Sequence, residues 1–284
     1  MHYGLQMTVP PAVEAVSLAD AKNHLRVDSD LTADDGLIQG LIIAARQYVE
    51  SVTGRQLGAA TFALTLDWFP GYAAPGMSEY PYGDFYAADR GWDEKRTIRL
   101  RRPPLQSVTS VAYVATDGAS TALGSTLYVV DSSSEPARLE PAYSQIWPVT
   151  RAIQNAVVVT YVAGYPCTTF AASIAAGNRT VTPLTMAGIA VGAVLSVDAG
   201  SSQEWIRPTA VTSTTFTATF AKAHDGTTTP VYCTAVPLPL RQAMLLLIGH
   251  WYRAREAVTQ SAAVEVPLAV DALLASFWTG EYGP

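Results

Sequence analysis

The stretch of sequence that decides the fold is TADDGLIQGLIIAARQYVESVTG, residues 32–54. Its apolar side chains recur at helical spacing, which predicts a helix over about 33–53 that packs one broad face inside the protein. Thr32 is the predicted N-cap, and Asp34 and Asp35 favour the positive end of the helix dipole. Gly54 stands where a left-handed residue commonly ends a helix.

Three further helices are predicted around this one. The first, about 17–27, has Ser17 as its N-cap and is expected to be the first ordered element of the chain. Helical spacing returns over about 238–257, and a weaker helix follows over about 267–278. The last helix either becomes ordered on a neighbouring protein or packs on its own subunit, and the sequence leaves both alternatives open.

Between the helices the hydrophobic period changes to two, which predicts strands over about 61–68, 98–101, 107–115, 127–131 and 156–163. Residues 166–235 differ from the rest, because threonine and alanine dominate and short apolar runs alternate with glycine and aspartate turns. The predicted fold class is therefore α+β. A small helical bundle and a β-hairpin or β-sheet region form an adaptor core of residues 1–165 plus 236–284, and 166–235 form an inserted small β-barrel or sandwich.

The two cysteines lie just inside the ends of this insertion. An inserted domain leaves and re-enters its host at neighbouring points, so Cys167 and Cys233 are expected close to each other. Free thiols are expected in a reducing cytoplasm, and a disulfide is possible under oxidation.

The bulk composition restricts the class of protein. Hydrophobic residues make up 49% of the chain and charged residues 15%, which excludes long disordered stretches and hints at surfaces covered by partners. The net charge of −6 argues against a protein that grips nucleic acid through its phosphates. The uncharged stretch 180–197 contains Pro183, Gly188 and Gly192, so it indicates β-structure rather than a membrane span.

Motifs that carry chemistry are missing from the sequence. No HExxH pattern, GxSxG elbow, Walker loop or GxGxxG turn occurs, so no catalytic, cofactor-binding or metal-binding residue is predicted and the chain is expected not to be an enzyme. His250 is expected to be a satisfied buried histidine, and Cys167 a structural thiol. Arg46 and Glu50, one helical turn apart, are expected to form an ordinary surface ion pair.

Aromatic residues are concentrated in the loop 71–94 and near the C-terminus. Because tyrosine and tryptophan are enriched at interfaces, they are the candidate interface residues. They are Tyr72, Tyr80, Tyr82, Phe85, Tyr86, Trp92, Phe277, Trp278 and Tyr282.

Several segments, taken in order, resemble the phage head-to-tail connector (adaptor) family, including the adaptors of gene-transfer-agent particles. The resemblance extends over roughly three quarters of the chain, in the expected order. The segments that carry it are Val16–Asp28, Asp35–Ile38, Ile43–Glu50, Thr53–Gln56, Arg102–Val108 with Tyr113, Trp147–Pro148, Val159–Tyr165, Val236–Arg241, His250–Glu256, Val266–Pro267 and Leu273–Leu274. Residues 166–235 interrupt the resemblance.

The resemblance implies a structural protein of the virion neck, assembled in the host cytoplasm. It implies a ring of about twelve copies, which matches the portal ring above it. A head-to-tail contact whose rotation closes gives such a ring. The implied partners are the portal protein, neighbouring copies and a tail-completion or stopper protein. Genome DNA would pass through the channel without specific binding, and no membrane is involved.

Two rival classes remain open. A host-surface or glycan-binding virion protein could use the aromatic loop 71–94 as its binding surface, although its helices would then be hard to explain. A tail enzyme such as a wall hydrolase would need a carboxylate pair in a cleft, and the sequence offers no convincing pair.

Overall fold

The computed structural model describes residues 3–71, 96–253 and 268–279. These residues form both helices and antiparallel sheets, which confirms the α+β fold class. The helices are α1 (Leu18–Leu25), α2 (Asp35–Thr53), α3 (Leu238–Arg253) and α4 (Leu268–Leu274). The first eight strands are β1 (Tyr3–Val9), β2 (Ala60–Leu66), β3 (Ile98–Leu100), β4 (Leu105–Val114), β5 (Ser120–Ala122), β6 (Tyr128–Asp131), β7 (Ala137–Pro141) and β8 (Val157–Ala163). The remaining strands are β9 (Cys167–Phe170), β10 (Gly177–Val181), β11 (Leu195–Val197), β12 (Glu204–Ile206), β13 (Ala210–Val211), β14 (Phe216–Phe220) and β15 (Val231–Thr234).

The chain divides into two compact units, each built from separated segments. Unit 1 comprises Met1–Pro10 and Ala60–Ala163, and unit 2 comprises Pro11–Ala59 and Gly164–Pro284. All four helices and strands β9–β15 belong to unit 2. The assignment of residues 166–235 to an inserted module, separate from a core of 1–165 plus 236–284, stays a prediction.

Unit 1 is built on a five-stranded antiparallel sheet with the order β1-β2-β8-β4-β5 and a three-stranded sheet with the order β3-β7-β6. Alternate residues of β2 and β8 are buried, as the period of two requires when one face of a sheet packs against a core. Ile98 and Leu139, paired on β3 and β7, join the same hydrophobic cluster as Val159 of β8.

The first described element is a strand, so the prediction that a helix would come first was wrong. Tyr3, Leu5 and Met7 of β1 alternate with small or polar residues and pair in register with apolar residues of β2. The pattern is short and mostly exposed, because β1 lies at the edge of the sheet. Pairing with a strand almost 60 residues away, which no local signal reports, decides its structure.

The helices of unit 2 pack around a core to which α1, α2, α3 and α4 all contribute. Ser17 caps α1 as predicted, since its side chain accepts a hydrogen bond from the Asp20 amide at 3.0 Å. Gly54 ends α2 in the left-handed conformation with φ of 72°. The predicted Thr32 cap was wrong: α2 begins at Asp35 with Asp34 as its N-cap residue, and the Asp34 carboxylate instead accepts a hydrogen bond from the Tyr252 hydroxyl.

Strands β9–β15 form two antiparallel sheets, one with the order β12-β11-β15-β9 and one with the order β10-β14-β13. Apolar residues of both sheets share one hydrophobic cluster, in which Phe170 and Phe216 meet edge to face at 5.8 Å. This two-sheet arrangement belongs to the predicted inserted all-β module.

The pairing of β9 with β15 decides the relation between the two cysteines. Cys167 pairs with Thr234 and Cys233 pairs with Thr168, so the cysteines lie one residue apart on neighbouring strands. Side chains alternate between the faces of a sheet. Cys167 therefore packs into the helical core and Cys233 into the core of the two-sheet module, and both thiols are free. Burial raises the pKa of Cys167 to about 11 and also raises the pKa of Cys233.

We expect neither cysteine of the native protein to react with a thiol reagent such as DTNB, because the thiolate is the reactive form and burial disfavours it. Labelling should proceed only as fast as the protein unfolds, and mild oxidation should form no disulfide. A Thr214→Cys variant, with a thiol on an exposed turn, should react at once and serves as the control. Rapid stoichiometric labelling of the unmodified protein would contradict this arrangement.

Candidate assembly surfaces

The described residues offer neither a metal site nor a membrane span. No cluster of three or more metal-ligand side chains that could hold an ion was found in residues 3–71, 96–253 and 268–279. Over the same ranges, every helix is too short or too polar to cross a membrane.

A buried polar cluster is nevertheless present in the two-sheet module, and no pattern in the sequence indicated it. The His224 ring is fully buried, with Nδ1 2.9 Å from an Asp198 carboxylate oxygen and Nε2 2.7 Å from a Glu204 carboxylate oxygen. Burial raises the pKa of Glu204, but hydrogen bonds from His224 and from two backbone amides outweigh it, and the net pKa lies below its usual value. Both ring nitrogens are engaged, so we interpret the cluster as a polar cross-link between Glu204 of β12 and the segments that follow β11 and β14. His250, which was expected to be buried, is only half-buried.

Arg46 and Glu50 form a buried pair, so the prediction of an ordinary surface ion pair was wrong. The side chains are 9% and 6% exposed, and Arg46 donates to Glu50 at 2.9 Å. Arg46 also donates to Glu14 at 2.7 Å. The other Glu50 oxygen accepts from the Gln56 side chain at 2.7 Å and from the Leu57 amide at 3.0 Å. The i,i+4 spacing was readable from the sequence, but the residues that enclose the pair come from before α1 and after α2.

The segment 268–279 packs on its own subunit, which is the second of the two alternatives for this segment. Val270 and Leu274 of α4 are buried in the helical core. Arg55 donates to the Phe277 carbonyl at 2.7 Å and lies over the Phe277 ring. Thr279 donates its amide to the Thr53 carbonyl at 3.1 Å. The end of α2 therefore holds the end of this segment in place.

Only two of the candidate interface residues, Phe277 and Trp278, lie in the described part of the chain, and they differ in exposure. Phe277 is half-buried by the contacts with Arg55, whereas Trp278 is 53% exposed. Tyr282 and the six aromatic residues of the loop 71–94 (Tyr72, Tyr80, Tyr82, Phe85, Tyr86 and Trp92) lie outside the described residues. Their role at an interface stays a prediction.

A loop of unit 1, residues 142–155, exposes more apolar surface than any pattern in the sequence had indicated. Tyr143, Ile146 and Val149 are 97%, 71% and 56% exposed, and Ile153 is also exposed. The loop is nevertheless anchored, because Trp147 is buried, stacks on Phe69 at 4.8 Å and donates to the Arg96 carbonyl at 2.7 Å. The sequence signal was a dense set of large apolar residues on either side of Trp147, in a segment for which no helix or strand is predicted.

Unit 2 has a mostly apolar groove on its surface. It has a volume of about 310 Å³ and lies between α1, α2, the segment before α1, and Tyr232 of β15. Its lining is mostly apolar: Val13, Val16, Leu18, Ile42, Ile43 and Tyr232, together with Glu14, Ser17 and Gln39. Ile43 is 40% exposed at the groove.

Comparisons with known proteins agree with the resemblance seen in the sequence. Residues 15–79, which include α1, α2 and β2, match the family of phage gp6-like head-tail connector proteins. The chain also resembles a chain in the neck of an empty GTA particle computed with C6 symmetry. The two are 18% identical, with a TM-score of 0.55, and the likeness covers 97% of this chain and 95% of the other. A chain in the virion of a native gene transfer agent particle is also 18% identical, with a TM-score of 0.50 and the same coverage.

No curated protein matches the sequence. At 18% identity the likeness to the solved structures shows the fold alone. The resemblance to the head-to-tail connector family is confirmed.

Replacing Glu50 by alanine should lower the free energy of unfolding by about 3 kcal/mol, because it leaves a buried guanidinium and two buried N–H donors with fewer partners. Urea denaturation followed by circular dichroism measures the change. Gln47→Ala, at an exposed position of the same helix, is the matched control and should change stability by less than about 0.5 kcal/mol. Equal stability of the two variants would contradict the structural role of Glu50.

A chain that ends at Val264 should be less stable by about 3 kcal/mol or more, because it loses the buried side chains of Val270 and Leu274. Thermal unfolding measures the loss. A chain that ends at Thr279 keeps α4 and its contacts with Thr53 and Arg55, so its stability should equal that of the full chain. If both truncated chains unfold like the full chain, α4 does not stabilise unit 2.

Proposed function

We propose that this chain is a structural, non-enzymatic head-to-tail adaptor subunit of a tailed phage or phage-like particle. The match of residues 15–79 to the head-tail connector family carries the proposal. The fold shared with a chain from the neck of a gene transfer agent particle supports it, since that likeness extends over nearly the whole chain. In this proposal the protein resides in the virion neck and is assembled in the host cytoplasm.

The adaptor acts as a ring between portal and tail, with about twelve copies to match the portal ring. A head-to-tail contact that closes by rotation generates such a ring. Exposed apolar side chains on both units favour such an assembly. A monomeric protein rarely leaves a rigid loop with side chains as exposed as Tyr143 and Ile146 without a partner to cover them. The portal protein covers one end of the ring, and a tail-completion or stopper protein covers the other.

DNA passes through the ring without specific binding. The net charge of −6 supports this part of the proposal, because a surface that gripped the phosphates would need an excess of cations. Exposed acidic side chains, such as Asp28 and Asp30 between α1 and α2, add to the repulsion of the phosphate backbone.

The segment 166–235 is proposed to be a module inserted into an adaptor core of residues 1–165 plus 236–284. The antiparallel pairing of β9 with β15 supports the proposal, since it brings the beginning and the end of the segment together. Trp205, 58% exposed on β12, is the largest exposed apolar side chain of this segment and a candidate for contact with another virion protein.

Mixing the purified chain with portal rings of the same particle tests the proposal. Negative-stain images and mass photometry should show the chain as a monomer or weak oligomer when it is alone and as a ring of about twelve copies on the portal. A tight dimer without affinity for the portal would contradict the adaptor role. Binding of the isolated chain on a glycan array, without portal binding, would favour a host-surface protein instead.

A further inference from the structure

The apolar loop 142–155 of unit 1 is held in one conformation although most of its large side chains point to solvent. Arg96 donates to the Gln145 carbonyl, the Arg151 amide donates to the Val114 carbonyl at 2.9 Å, and the Asn155 amide donates to Asp67 at 3.0 Å. A loop fixed in this way loses little conformational entropy when it binds, so it is pre-organised for a partner.

The groove between α1 and α2 of unit 2 has the opposite shape. A volume of about 310 Å³ is at the lower end of the range for pockets that hold small molecules. It has room for one large side chain with part of a neighbour, and not for the whole apolar surface of the loop. A convex apolar loop and a concave apolar groove on one chain can form a heterologous contact between copies.

The charges of the two surfaces are also complementary. Arg151 is the only charged residue in the loop 142–155, and Glu14 is the only charged residue that lines the groove. Arg151 is exposed, and the side chain of Glu14 is 30% exposed although it accepts a hydrogen bond from Arg46. Opposite charges at the rim of an apolar contact favour one register and one direction of docking.

We propose that the loop 142–155 of one copy binds in the α1–α2 groove of the next copy, with Tyr143 or Ile146 inserted and Arg151 facing Glu14. This inference rests on the proposed ring and names the contact that closes it. The partner is a second copy of this chain, because both halves of the contact occur on it and their single charges are opposite.

Cysteine cross-linking tests the contact. Gln39 is exposed at the groove, and Tyr143 and Ile146 are exposed on the loop. The variants Tyr143→Cys/Gln39→Cys and Ile146→Cys/Gln39→Cys are oxidised in concentrated solution and on portal rings. At least one of them should give a ladder of covalent multimers on a denaturing gel. The buried Cys167 and Cys233 should contribute no background.

The direction of the contact is tested by mixing single variants. Tyr143→Cys mixed with Gln39→Cys, or Ile146→Cys mixed with Gln39→Cys, should stop at covalent dimers, because each subunit then carries one reactive end. Dimers formed by a loop variant alone would indicate a two-fold contact and overturn the inference. Thr214→Cys, on an exposed turn outside both surfaces, is the control for random collision and should stay monomeric.

The outcomes separate this inference from the adaptor role. If rings form on the portal but neither double variant cross-links above the Thr214→Cys control, the loop–groove contact is wrong and the adaptor role stands. If the double variants form ladders but no ring forms on the portal, the contact stands and the adaptor role is wrong. As a second measurement, Tyr143→Ala/Ile146→Ala should reduce self-association at least tenfold, whereas Leu184→Ala, at an exposed position of the module, should leave it unchanged.

Discussion

The helical unit depends on the hydrogen bonds that the buried carboxylate of Glu50 accepts. Its two oxygens accept hydrogen bonds from Arg46 on the same helix and from Gln56 and Leu57 in the segment that leaves it. Arg46 continues the network to Glu14, before α1 begins. Removing such charges from water costs several kcal/mol, and the cost is offset only when every partner is in place. The network thus selects one path for the chain into α1 and out of α2.

A second polar contact joins the helices to the two-sheet module within unit 2. Arg241, buried on α3, donates to Asp20 of α1 at 2.8 Å and to Ser196 of β11 at 3.2 Å. The same Asp20 oxygen accepts from the Ser17 hydroxyl, so the cap of α1 and the start of α3 share one carboxylate, and Arg241 links both to the module. Tyr232 of β15 adds a hydrogen bond to the Glu14 carbonyl at 2.8 Å. The module therefore contributes partners to buried groups of the helices.

The parts of the fold that follow from local patterns were predictable from the sequence. α2, its Gly54 end, the Ser17 cap and the main strands of unit 1 all have periodic apolar residues or a turn residue with a direct physical role. β1, β5 and β7 were missed, because their pairing partners decide their structure. The pair Arg46–Glu50 was predicted at the surface but is buried, for a related reason: spacing along a helix does not show which residues cover the helix. The density of apolar residues in the loop 142–155 was readable from the sequence, but their exposure and the groove could not be predicted, because exposure depends on residues distant in sequence.

The division of both units into separated segments has a consequence for the order of synthesis. Unit 1 has all its residues once position 163 has left the ribosome, whereas the helical core still lacks Leu240, Met244 and Leu247 of α3. At about 5–20 residues per second, α1 and α2 emerge roughly ten seconds or more before α3 can cover them. Most of the stability of a helix in a protein comes from the packing of its apolar face, and α1, with 8 residues, is too short to be stable alone. The nascent chain therefore carries a complete sheet unit and an open helical face, and the helical unit is complete only late in translation.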